Sequence, residues 1–173
     1  RSTLFPYTTL FRSPAGKNVD VMARHGIYSE EEMKARQEIH LEEYAKTINI
    51  EALTMLSMAR HEILPAVLKC EKDLTTILAQ KKAVGLDTKG SVEAKMAARI
   101  SALAGGMLEK TDALEAANRA AQATADAQER ADAYCNAVIG AMNALRAVAD
   151  ELETIVGREY WPYPIYEDLL FYV

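Results

Sequence analysis

Tyr44-Ala-Lys-Thr-Ile-Asn-Ile-Glu-Ala-Leu-Thr-Met-Leu-Ser-Met58, running on to Ile63-Leu64-Pro65, decides the fold. Tyr44, Ile48, Ala52, Met55 and Ala59 recur at steps of four, four, three and four, the spacing of one helix face. Ile50, Leu53, Leu56 and Ile63 fall to one side of that face. A helix apolar around most of its circumference is covered on most of it. The reading is therefore a buried helical axis against which other helices pack.

Upstream, Ser29-Glu-Glu-Glu32 is a capping box, in which the Ser hydroxyl and the Glu32 carboxylate each take a free backbone N–H. The three glutamates suit the positive end of the helix dipole. The first helix is expected from about Glu30 to at least His61. Pro65 lacks an N–H and crowds the carbonyl of His61, which predicts a kink or a break and restart. Helical pattern resumes through Val67, Leu68, Leu74, Ile77 and Leu78 and stops at Gly85. A second helix begins at Ser91, with Met96, Ile100, Leu103, Met107 and Leu114 as its stripe. Gly105-Gly106 inside it marks a weak point or a close helix contact, because each Gly costs roughly 1 kcal/mol against Ala. Alanine then dominates from Thr111 to Ala133. Small side chains let helices approach, so a tight crossing is expected there. Asn118, Arg119, Gln122, Asp126 and Gln128 limit how much of it is buried. A turn falls near Thr124 to Gln128. The third helix carries Tyr134, Val138, Ala141, Leu145, Val148, Leu152 and Ile155, an a/d seam, and ends at Gly157.

The fold class expected is all-α: an antiparallel bundle of about three long helices, the first kinked near Pro65, with an extended aromatic C-terminal tail. Residues 29–157 form the bundle. Residues 14–28 are a connector, where Val19, Val21 and Met22 suggest a single helical turn. Residues 158–173 are the tail, kept extended by Pro162 and Pro164 and too apolar to stay free of a docking surface. Residues 1–13 stand apart. Thr3-Leu4-Phe5 returns as Thr9-Leu10-Phe11, and Arg1-Ser2 as Arg12-Ser13. The peptide resembles the in-frame translation of a short-read sequencing adapter, so it is read as a non-native tail fused to an open reading frame cut upstream of Pro14, and set aside from the fold.

The chain has 173 residues, half of them hydrophobic, and a net charge of −5. That is enough for a domain with a real core. The acidic balance argues against a nucleic-acid surface, and no run reaches the ~18 apolar residues of a membrane span. Cys70 and Cys135 make neither a disulfide framework nor a zinc site. They point to buried thiols in a reducing cytosol, and a cytoplasmic location is expected.

Catalytic motifs fail on their spacing. His61-Glu62-Ile-Leu-Pro65 begins like a zinc-protease helix, but Pro65 stands where the second His must be. The Glu-x-x-His of di-iron bundles occurs nowhere: His25, His40 and His61 follow Met22, Gln37 and Met58. Ala104-Gly105-Gly106 lacks dinucleotide-loop spacing. Glu30-Glu31-Glu32, Glu42-Glu43 and Asp150, Glu151 and Glu153 read as helix-start or solvated charges. No catalytic, cofactor-binding or metal-ligating residue is assigned.

Several segments together resemble the C-terminal region of type III glutamine synthetases. They are Lys17-Asn18, Arg24-His25-Gly26-Ile27-Tyr28, Tyr44 to Met55, Ile63-Leu64-Pro65-Ala66, Met142-Asn-Ala-Leu-Arg146, Ala149-Asp-Glu-Leu-Glu153 and Trp161-Pro-Tyr-Pro-Ile-Tyr-Glu-Asp-Leu-Leu-Phe171. The resemblance implies a parent that uses ATP and Mg to join ammonia to glutamate through a γ-glutamyl phosphate, in a large ring-built oligomer. It implies a catalytic barrel upstream of Pro14, so the partners expected are that barrel and further copies of the chain, with neither nucleic acid nor membrane. No family catalytic residue maps onto this chain. It is expected to be inactive alone and to brace the catalytic domain and subunit contacts. With its coverings removed it is expected to self-associate. The alternative is a free-standing helical interaction module that dimerises through the third-helix seam. An autonomous enzyme or ligand-binding bundle would instead show a polar pocket lined by ionisable groups, which the sequence gives no reason to expect.

Overall fold

The computed structural model describes residues 16–164 and 166–170. The adapter-like residues 1–13 and the last three residues of the aromatic tail lie outside them. The described residues are all-α: α1 (Gly16–Arg24), α2 (Glu30–Met58), a π-helical turn (Ala59–Ile63), α3 (Leu64–Ala83), α4 (Val92–Ala123), α5 (Ala127–Ala133), a second π-turn (Tyr134–Val138), α6 (Ile139–Glu153) and α7 (Tyr166–Leu170). The chain groups into two compact units. One is the chain up to Ala52 with Ala116–Gly140; the other is Leu53–Glu115 with the chain from Ala141 onward.

The helix ends follow from local chemistry. At the start of α2 the Ser29 N–H donates to Glu32 Oε2 at 2.7 Å and the Glu32 N–H to Ser29 Oγ at 3.2 Å, the expected capping box. After α3, Leu86 N–H donates to the Lys81 carbonyl and Gly85 N–H to that of Lys82. This Schellman closure needs the left-handed backbone that Gly85 supplies at φ 79°. Asp126 caps α5 by accepting from the Glu129 N–H at 2.9 Å, which sets the turn between α4 and α5.

Pro65 produces neither a break nor a restart. The chain widens into the π-turn just before it, where Leu64 N–H reaches back five residues to the Ala59 carbonyl. Pro65 then sits in the first turn of α3. An α-helix would drive the proline ring into the His61 carbonyl; the wider turn relieves that clash and keeps the chain helical. The third-helix seam departs from the expected one at two positions. Tyr134, Val138, Leu145 and Leu152 are buried as expected, but Met142 and Val156 are buried where Ala141 and Ile155 are only half-buried.

Burial corrects the reading of the first helix. Met33, Leu41, Ala45, Ile48 and Ala52 form one buried face in the first unit, and Leu56, Ala59, Ile63, Ala66, Val67 and Cys70 are buried in the second. Ile48 is 8% exposed but Ile50 is 64% and Leu53 49% exposed. The helix is covered on one side only, so it is not a fully enclosed axis. In the alanine-rich stretch Ala121 and Ala131 are buried and the other alanines are not, while Asn118, expected to limit burial, is itself buried at 3% exposure. Gly105 and Gly106 make no close contact; a Cβ at either would meet nothing within 4 Å. The connector holds a full helix, α1, longer than the single turn expected. The tail is not extended throughout, since Tyr166–Leu170 is helical.

Within the second unit, α3 and α4 run antiparallel. Arg60 pairs with Asp112 at 3.4 Å and with Glu115, while Lys81 pairs with Glu93 at the other end of the hairpin. The shared core of this unit includes Val67, Ile100, Met107, Leu114, Leu145 and Leu152.

One-sided burial of α2 sets a test. Ile48→Ala is expected to cost about 2–5 kcal/mol and Ile50→Ala to stay within about 0.5 kcal/mol of the parent, read as shifts in urea midpoint. Equal losses at both positions would restore the enclosed-axis reading.

Candidate functional site

Two cavities concentrate the chain's chemistry, one in each unit. The first unit holds a cavity of about 210 Å3 lined by Glu42, Ala45, Lys46, Asn49, Gln122, Arg130 and Tyr134. Helical spacing puts Glu42, Lys46 and Asn49 on one face of α2. Asn49 Oδ1 is its hub: Asn118 Nδ2 donates to it at 2.9 Å and Gln122 Nε2 at 2.7 Å. Lys46 Nζ donates to Glu42 Oε2 at 3.3 Å. Burial raises the Tyr134 phenol above its ordinary value, against the opposing pull of Arg130 and Gln122. Burial likewise raises that of Tyr44, assisted by the Cys135 thiol beside it.

The second unit holds an apolar cavity of about 240 Å3. Met55, Met58, Ala59, Ile63, Met107, Leu145 and Ala149 line it, Trp161, Tyr163 and Pro164 wall it, and Arg146, Asp150 and Glu153 bring charge to it. The Trp161–Pro164 segment of the tail thus seats against α-helical residues of its own unit. Tyr160 anchors it, its hydroxyl donating to Asp73 Oδ2 at 2.7 Å, and Arg158 pairs with Asp168. The Asp73 carboxylate holds the Tyr160 phenol up to about 12. Burial and the nearby Glu62 carboxylate do the same for Tyr163, also to about 12.

The motifs weighed on spacing stay apart in space. His61 and Glu62 lie exposed on the first π-turn, and His25 and His40 are exposed. His40 faces Glu43 at 3.5 Å. Cys70 is buried and Cys135 half-buried, both as free thiols. Among the described residues no three His, Cys, Asp or Glu side chains are placed to hold a metal ion, and no helix is long and apolar enough to cross a membrane. Sequence reasoning missed the Asn49–Asn118–Gln122 cluster. Its one visible signal is Asn49 standing between Ile48 and Ile50.

The described residues are helical, and comparison with known proteins shows what the chain is similar to. Residues 8–82 match the glutamine synthetase C-terminal domain family. It is 33% identical over 155 residues to a glutamine synthetase of Butyrivibrio fibrisolvens, covering 90% of this chain and 22% of the relative. It is 27% identical over 160 residues to a glutamine synthetase of Bacteroides fragilis, covering 87% and 21%. A type-3 glutamine synthetase of Dictyostelium discoideum is 28% identical over 163 residues, covering 90% and 22%. The chain therefore spans about a fifth of the length of these relatives.

Two tests follow from the sites. Asn49→Ala strands the buried Asn118 amide and is expected to cost about 1–3 kcal/mol, against a smaller loss for Gln122→Ala, whose amide reaches solvent; urea unfolding checks both. The tyrosines give a pH dependence. Folded Tyr160 and Tyr163 keep their protons to about pH 12, whereas an unfolded tyrosine loses its proton near pH 10. Between those values the folded state binds more protons, so stability falls as pH rises. The Tyr160→Phe/Tyr163→Phe variant should show a shallower fall in its unfolding midpoint over that window.

Proposed function

We propose that this chain is the C-terminal helical part of a longer glutamine synthetase, and that in the whole protein it braces the catalytic part and the contacts between subunits. The family match carries the reading: nine-tenths of this chain aligns with about a fifth of each synthetase. The whole protein would join ammonia to glutamate with ATP and Mg in the cytoplasm. The described residues offer no metal-holding cluster, so that chemistry would belong to the other four-fifths of the parent.

Two apolar surfaces support a bracing role. Ile39 and Ile50 are exposed on α2 in the first unit. In the second, a groove of about 660 Å3 is lined by Leu64, Pro65, Leu68, Ala104, Gly105 and Leu108 among others, with Leu68 and Leu108 about half exposed. The apolar lining of the groove is costly to leave in water. The occupant in this reading is the rest of the parent chain and its subunit neighbours.

The test uses the parent enzyme with and without residues 29–157, and the 173-residue chain alone. The reading expects γ-glutamyl transfer from the parent, none from the chain alone, and loss of the assembled mass by native mass spectrometry when the helical region is deleted. Activity in the isolated chain, or a deletion variant of unchanged mass and activity, would refute it.

A further inference from the structure

The apolar cavity of the second unit lies outside anything the bracing role requires. Its floor is Met55, Met58, Ile63, Met107 and Leu145. Three thioethers make that floor adaptable, because Met is unbranched and polarizable and fits ligands of varied shape. Trp161 and Tyr163 supply aromatic walls. A concave, mostly apolar pocket with a few converging polar groups is the general form of a small-molecule site.

The charges decide which molecule. Arg146, Asp150 and Glu153 line the cavity. Arg146 Nε is taken up by Asp150 Oδ2 at 3.4 Å, which leaves that pair close to neutral. Glu153 is half-buried and makes no ion pair among the described residues. The Tyr163 phenol keeps its proton to about pH 12, so at neutral pH it adds no charge. Among the lining residues the uncompensated charge is thus the Glu153 carboxylate, beside an indole and a phenol ring, with the Glu62 carboxylate close to that phenol. Aromatic faces attract a cation through the ring quadrupole, Trp most strongly. An anion would meet that carboxylate, and a neutral apolar ligand would leave it without a partner.

We propose that this cavity binds a small organic cation, an alkylated ammonium whose apolar groups rest on the methionine floor and whose charge lies between Trp161 and Glu153. The site is independent of the bracing role, and its test does not involve the parent's activity.

Choline and 3,3-dimethylbutanol have the same shape and differ in charge, so they separate a cation site from a merely apolar one. Each is titrated into the full 173-residue chain and followed by saturation-transfer NMR, with the emission of Trp161, the chain's single tryptophan, as a second readout. Choline is expected to bind saturably, and about tenfold more tightly than the neutral alcohol. Glu153→Gln, a half-buried position whose change leaves the core intact, is expected to reduce that preference several-fold; Trp161→Leu is expected to abolish binding, with circular dichroism confirming retained helix. Equal affinity for the two compounds, no saturable binding of choline, or choline binding unaltered in Glu153→Gln would each overturn the proposal.

Discussion

The structure depends on apolar burial along a single face of each long helix, kept in phase by two π-turns. A face of this kind stabilises only while its residues keep pointing the same way. In the second unit Leu56, Ala59, Ile63, Ala66, Val67 and Cys70 stay buried across the proline because the chain widens at Ala59–Ile63. Without that widening the Pro65 ring would collide with the His61 carbonyl, and the helix would kink or stop. The turn at Tyr134–Val138 has the same consequence for its own helix. It carries the stripe from Tyr134 and Val138 to Met142, Leu145, Leu152 and Val156.

The elements themselves were legible because their signals are local. The Ser29–Glu32 capping box, the Gly85 stop, the turn near Asp126 and the step-of-three-and-four stripes each rest on a few neighbouring residues. What escaped depends on partners distant in sequence. Ile50 and Leu53 look as apolar as Ile48, and only the packed structure shows which of them is covered. Asn118 reads as a surface residue until Asn49, far away in sequence, is found accepting its amide proton. The third helix shows the same limit, since Met142 and Val156 are covered while their apolar neighbours Ala141 and Ile155 are only half-buried. The cavity around Asn49 draws on residues from Glu42 to Tyr134, and no motif spacing announces such a convergence.

The division of labour in the proposed parent follows from the same physics. Long helices with one covered face and one partly bare face suit a brace, since the bare face gains burial when a neighbouring domain or subunit meets it. The Trp161–Pro164 segment contributes differently. Its prolines hold it out of the helix, so its rings can close over the methionines of its own unit. Tyr160 ties that segment to Asp73, which fixes the cavity wall without a disulfide or a metal.

The central claim, that this chain is one part of a longer glutamine synthetase, is tested most directly by sequencing the source DNA across the codon for Pro14. The account predicts that genomic sequence departs from the adapter-like codons there and continues upstream, in frame, into a glutamine synthetase catalytic region. A genuine gene start within residues 1–13, with no synthetase sequence before it, would contradict the account and leave a free-standing helical module in its place.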